Sequence, residues 1–133
     1  LWRFPPRRLE AEVLRDAIMQ LYDHGIPIFA AVGNDASANP FYPAAYPQVI
    51  SVTALGQPGQ IAPYANVGTR PNAAAPGTVI FSYNNQVYVS QGTSVSTAVA
   101  TGVASAISDS TCAPWSQVVP TVERNFAVPP PQP

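Results

Sequence analysis

The chain has 133 residues, 47% of them apolar and 10% charged, with a formal net charge of −1. That length accommodates one domain with a core of its own, and the charge-poor balance excludes the basic footprint that nucleic-acid binding requires. A single cysteine, Cys112, excludes an internal disulfide framework or a cysteine metal cluster, and no apolar run approaches the ~18 residues of a transmembrane helix.

The chain opens Leu1-Trp2-Arg3-Phe4-Pro5-Pro6-Arg7-Arg8, without Met and without a signal-peptide apolar region. It reads as a processed chain or an excised fragment. Arg3, Arg7, Arg8 and Arg15 cluster there, as expected of a solvated segment start. Leu9, Val13, Leu14, Ala17, Ile18 and Leu21 then recur at helical spacing. They predict an amphipathic helix over 9–24, stopped by Gly25. Residues 26–32 form a continuous apolar run that suits a strand buried on both faces of a parallel sheet, ending at Gly33-Asn34-Asp35. A proline-rich loop over 40–47 leads to a second strand over 49–54. Residues 78–83 and 86–90 predict a hairpin turning at Asn84-Asn85. A small-residue helix follows over 93–108. From Pro114 the chain is proline-rich and is expected to be extended or disordered. Alternating helix and strand predict an open α/β sheet, which places sites at the C-terminal ends of its strands.

Gly92-Thr93-Ser94 runs directly into that last helix. A serine at a helix N-terminus meets unpaired N–H groups and the positive end of the dipole, which favour a developing oxyanion. Taken alone, the same three residues read first as a helix cap made by Thr93 or Ser94. Asn34 follows a buried strand through a glycine, so it projects from the sheet's C-terminal edge, where the helix that begins near Ser94 can face it. Its amide can polarise a carbonyl oxygen without bringing a charge that must be desolvated, or it can serve as a turn residue.

Four segments, in order, resemble the C-terminal half of a subtilisin-like (subtilase) serine peptidase. Ala30-Ala31-Val32-Gly33-Asn34, after helix 9–24, resembles the family's Ala-Ala-x-Gly-Asn. Tyr42-Pro43-Ala44-Ala45-Tyr46-Pro47 with Val49-Ile50-Ser51-Val52 resembles Tyr-Pro-x-x-Tyr-Pro followed by Val-Ile-x-Val. Ala62-Pro63-Tyr64-Ala65-Asn66-Val67-Gly68 and Ala75-Pro76-Gly77 resemble Ala-x-(Phe/Tyr)-Ser-x-x-Gly and Ala-Pro-Gly. Gly92-Thr93-Ser94 is similar to the start of the nucleophile motif Gly-Thr-Ser-x-Ala-x-Pro.

The resemblance implies part of a doubly wound, mostly parallel sheet with a buried nucleophile helix. Residues 1–108 would form the C-terminal portion of the catalytic domain and 109–133 an extension. It implies Ser94 as acylating nucleophile and the Asn34 amide as oxyanion donor. Ala31, Val32 and Gly33 would wall the pocket for the residue before the scissile bond. Leu1-Trp2 would be the remnant of a facing substrate-pairing strand. Phe41, where the family often has a small residue, either narrows that pocket or packs in the core. The resemblance also implies a peptide or protein substrate and a secreted or extracytoplasmic setting.

The residues depart from the family pattern in two respects. Ser96, Ala98 and Val99 replace the alanine, proline and histidine usual after the nucleophile. A buried Ser96 would need a hydrogen-bond partner. His24 lies outside any His-Gly-Thr context, and Asp16, Asp23 and Asp35 match no family motif. The triad Asp and His are therefore expected from an upstream segment or a complementary chain. The same substitutions leave a non-catalytic peptide-binding or assembly module as the alternative. No carboxylate cluster supports a calcium site, and no cofactor is expected. Strand 26–32 is expected to lack a neighbour on one side.

Overall fold

The computed structural model describes residues 7–130; Leu1 and Trp2 lie outside them. Eight elements run in the order α1 (Arg7–Asp23), β1 (Phe29–Ala31), β2 (Ile50–Leu55), β3 (Ala73–Pro76), β4 (Thr78–Tyr83), β5 (Gln86–Gln91), α2 (Thr93–Thr111) and α3 (Trp115–Asn125). β1, β2 and β3 form a parallel sheet in that order, and β4 and β5 form a separate antiparallel hairpin. The expected α/β architecture, parallel sheet and hairpin are all present. The turn residues Asn84 and Asn85 have φ of 49° and 58°, the left-handed pair that a two-residue hairpin loop demands.

One strand is shorter than expected. The apolar run 26–32 contributes only Phe29–Ala31 to the ladder, because Pro27 has no N–H to give and Ile26 stays 48% exposed. Pairing nonetheless continues at both ends, through Ile50 N–H to Ile28 O at 2.7 Å and Val32 N–H to Val52 O at 3.1 Å. β1 lies at the edge of the sheet as described, as anticipated.

β3 was not anticipated from the sequence. Ala73-Ala74-Ala75-Pro76 carries none of the β-branched or aromatic residues that mark a strand. Its alanines are buried because α2 crosses the sheet there with small residues of its own. Ala100 and Ala104 are fully buried against Val52, Ala73 and Ala75. Small side chains on both partners let helix and sheet backbones approach closely, so neither run tolerates added volume.

The segment after Ala113, expected to be extended, forms α3 instead. Pro114 stands at the N-cap, where a missing N–H costs nothing. Pro120 lies inside the helix but on an exposed face, so the Ser116 carbonyl it leaves free can meet water. Val118 and Val122, one turn apart, are 1% and 0% exposed against the α2–sheet core. Burying such side chains stabilises the helix by about 1.5–3 kcal/mol each, which outweighs the proline. Beyond α3, the Phe126 carbonyl accepts from Ala74 N–H at 2.8 Å and tethers the chain to β3.

α1 also departs from expectation. Of the stripe from Val13 to Leu21 only Ile18 is buried, joining Ala30, Val32, Ala44, Val49 and Ala65 in a second cluster. Val13, Leu14 and Leu21 remain 68%, 43% and 40% exposed.

Candidate active site

The site forms where the C-terminal end of β1 meets the N-terminus of α2. Gly92 is the N-cap residue of α2, and neither Thr93 nor Ser94 caps the helix with its side chain. Gly92 has φ of 148°, and a Cβ there would come within 3.4 Å of Asn34 Nδ2. The backbone therefore favours glycine there, while the space alone would admit a Cβ in ordinary contact with Asn34.

Thr93, fully buried, fastens the two segments together. Its backbone N–H donates to Asn34 Oδ1 at 2.8 Å, and its hydroxyl donates to the same oxygen at 2.9 Å. The hydroxyl in turn accepts from Gly33 N–H at 3.3 Å. A backbone N–H must meet an acceptor, so this contact fixes which way the Asn34 amide faces. Its oxygen is spent on Thr93, and its Nδ2 donates to no group among the described residues. Asn34 and Ser94 are both exposed. Ser94 is the second residue of α2, and its N–H likewise meets no acceptor among the described residues. A solvent-facing hydroxyl, a free amide and a free helical N–H thus share one corner of the surface. Together they can attack a carbonyl and receive the charge that develops on its oxygen.

The backbone leading into Asn34 is held on both sides. Val32 is fully buried, and Gly33 is buried with φ of 100°. Gly33 O accepts from Asn66 N–H at 3.0 Å. A Cβ on Gly33 would collide with the Asn66 amide and come within 3.2 Å of the Phe41 ring. Phe41 itself is 42% exposed, so the core-packing alternative does not hold. Its ring lies against Gly33 at the surface because its N–H is pinned to Thr69 Oγ1 at 3.2 Å. Ala31 is half-buried in β1, opposite Val52.

Three further residues shape the site, and sequence reasoning gave them no role. Thr93 was visible only as part of a possible cap. Asn66, 3% exposed, accepts with Oδ1 from Asp35 N–H at 2.9 Å and Ser37 N–H at 3.0 Å. The Tyr64 hydroxyl donates to Gly77 O at 3.3 Å. Burial raises the Tyr64 phenol above 10.0, and the nearby Gly92 N–H offsets part of that rise. The buried Ser96 hydroxyl finds the partner it needs in Pro76 O at 3.2 Å. His24 sits at the end of α1 with Nδ1 2.7 Å from Gln20 O, and it belongs to a different part of the molecule from Ser94. Cavities of about 350, 540 and 500 Å³ lie away from Ser94 and Asn34, around Tyr42 and Arg70, beside Trp115, and against α1. Among the described residues, no three His, Cys, Asp or Glu side chains group closely enough to hold a metal ion.

Comparison with known proteins bears on this corner. The sequence profile of the Subtilase family, Peptidase S8, matches residues 6–122. Minor extracellular protease Epr of Bacillus subtilis (strain 168) is 40% identical over 91 residues, covering 66% of this chain and 14% of that protein. Thermitase of Thermoactinomyces vulgaris is 34% identical over 93 residues, covering 68% of this chain and 33% of thermitase. Subtilisin DY of Bacillus licheniformis is 34% identical over 100 residues, covering 71% and 36%. Among solved structures, the prenylagaramide maturation protease PagA superposes with a TM-score of 0.62 at 29% identity, covering 68% of this chain and 35% of PagA. The chain thus spans between 14% and 36% of the length of these relatives.

Proposed function

The chain belongs to the subtilase family, and on that premise we propose that it carries the nucleophile and the oxyanion donor of a subtilisin-like serine endopeptidase. Ser94 Oγ attacks the carbonyl carbon of a peptide bond, and its proton passes to a histidine base. The Asn34 Nδ2 and Ser94 N–H donate to the oxyanion. Collapse of the tetrahedral intermediate breaks the C–N bond, and the leaving amine takes the proton from the base. Water then hydrolyses the Ser94 ester. The histidine and its aspartate come from an upstream segment or a complementary chain. Without a base the Ser94 hydroxyl is almost wholly protonated near neutral pH and a poor nucleophile, so the isolated chain is expected to be nearly inactive.

One observation carries the reading. Thr93 occupies the Asn34 amide oxygen with two hydrogen bonds, and this turns the amide donor outward beside an exposed Ser94. The test is labelling with a fluorophosphonate probe in the protein that carries the complete triad. Ser94 should be modified there and left unmodified in the 133-residue chain alone. Asn34→Asp keeps an oxygen for Thr93 and removes the donor. It should therefore fold normally and lose about 10²–10³-fold in turnover.

Phe41 sets the substrate preference in this proposal. Its ring stands beside Gly33, on the wall assigned to the residue before the scissile bond, and it restricts that position to small side chains. Phe41→Gly should shift kcat/KM toward large side chains by roughly tenfold or more. The named relatives include an extracellular protease, and we carry over a secreted or extracytoplasmic setting from that similarity.

A second reading, a non-catalytic peptide-binding or assembly module, rests on Ala98 and Val99 after the nucleophile. Absence of labelling in the complete, folded protein would favour it.

A further inference from the structure

We propose that the segment Tyr64-Ala65-Asn66 is a brace that sets the spacing between the Asn34 amide and Ser94, with Asn66 and Tyr64 as positioning residues. The proposal rests on the peptidase reading above.

Asn34 and Ser94 stand on two separate stretches of chain, 31–37 and 77–94, and among the described residues the hydrogen bonds of Thr93 with Asn34 and Gly33 tie them directly. One tie between two loops leaves a hinge. The brace supplies the second connection. At one end, Asn66 takes hold of the loop on both sides of Asn34. Its backbone N–H donates to Gly33 O at 3.0 Å, and its side-chain oxygen accepts from Asp35 and Ser37 N–H at 2.9 and 3.0 Å. The amide also lies over Gly33, in the space a Cβ would fill. At the other end, the Tyr64 hydroxyl donates to Gly77 O. That same carbonyl accepts from Gly92 N–H at 2.9 Å, and Gly92 opens the helix carrying Ser94. Ala36 N–H donates to Tyr64 O at 2.9 Å, so both residues grip the Asn34 loop, while only Tyr64 reaches the Ser94 turn.

The surroundings keep the segment from moving as a loop ordinarily would. Ala65 and Asn66 are 2% and 3% exposed. Val67 and Gly68 N–H both donate to Ser37 O, at 2.9 and 3.2 Å. Three consecutive residues thus span from the oxyanion loop to the nucleophile turn, Ala65 and Asn66 buried and Tyr64 half-buried. An oxyanion donor acts only where its N–H meets the charge as it develops, so a small displacement costs turnover while substrate affinity is retained.

The experiment uses the complete protein with Tyr64→Phe, Asn66→Ala and the double substitution, reading fluorophosphonate labelling, kcat and KM. Tyr64→Phe removes one hydroxyl and keeps the ring, so it remains informative if Asn66→Ala does not fold. Each single variant should lose roughly ten- to a hundredfold in kcat and labelling rate, with KM unchanged. The double variant should lose less than the product of the two, since both release the same strut. Labelling and kcat at the unsubstituted rate in Tyr64→Phe would overturn the brace, as would a rise in KM with kcat preserved. Failure of the unsubstituted protein to take the probe would instead overturn the peptidase reading on which the brace depends.

Discussion

Thr93 spends its hydrogen bonds on holding two segments together, and the consequence can be tested one atom at a time. Thr93→Val keeps the shape and removes the hydroxyl. Gly33 N–H then loses its acceptor in a buried position, at a cost of about 1–3 kcal/mol, and Asn34 Oδ1 keeps only the backbone contact. Denaturant unfolding of the variant should show a lower midpoint at unchanged m-value. Tyr64 offers a second residue-level test. Its phenol is raised above the ordinary value of 10.0 because burial penalises the phenolate. A raised folded value favours the protonated form, so the contribution to stability is complete below about pH 10 and fades as pH rises through the folded value. Ultraviolet titration should reveal one phenol ionising later than an unperturbed tyrosine, and that late phase should vanish in Tyr64→Phe. Motif order along the chain marked Ser94 and Asn34 as candidates, and the structure brings their segments together through Thr93. The hydrogen bonds that orient them were not legible, because partners 29 to 60 positions away leave no local pattern. Thr93 therefore read as a possible cap and Asn66 as one unremarked letter of a motif.

At the scale of elements, legibility followed from how each one is stabilised. The hairpin over β4 and β5 carries its own evidence, in β-branched and aromatic strands around two asparagines, and it forms as expected. β3 carries none, and in α3 the helical spacing of Trp115, Val118, Val119 and Val122 is offset by the breaking signals of Pro114 and Pro120. Ala73–Pro76 is a strand because α2 covers it and β2 pairs with it. Trp115–Asn125 is a helix because Val118 and Val122 reach the core, in spite of Pro120. Both are consequences of tertiary burial, which local propensity does not encode. The α2–β3 contact should accordingly be sensitive to volume in a way the hairpin is not. Ala100→Leu, at a fully buried position, should destabilise by about 1–3 kcal/mol or more through overpacking. Ile80→Thr, at a position 73% exposed, should stay within about 0.5 kcal/mol. Thermal unfolding of the two variants measures the contrast, and comparable losses would count against small-residue packing as the organising contact.

For the whole molecule, the distribution of exposed apolar surface decides how the chain behaves alone. Parallel sheets occur almost only with both faces covered and their edges protected. Here β1 lies at the edge of the sheet as described, with Ile26 48% exposed just ahead of it. Val13, Leu14 and Leu21 on α1 add a second uncovered stripe at 68%, 43% and 40% exposure. An amphipathic helix with its apolar side toward water has lost most of what stabilises it in place. Such surface leads us to expect a cover, either another copy or the upstream segment that the proposed triad requires. Two expectations follow for sedimentation velocity. The chain by itself should associate with rising concentration, and Val13→Glu combined with Leu21→Lys should weaken that association without unfolding the core, since both positions are exposed. Addition of a separately prepared upstream segment carrying Asp and His should replace self-association with a one-to-one complex. The same addition should switch on probe labelling of Ser94, linking coverage of the open surface to completion of the site. A monomer at every concentration that unfolds sharply and reversibly would sink this account, because it would show that the exposed stripe and strand edge need no partner.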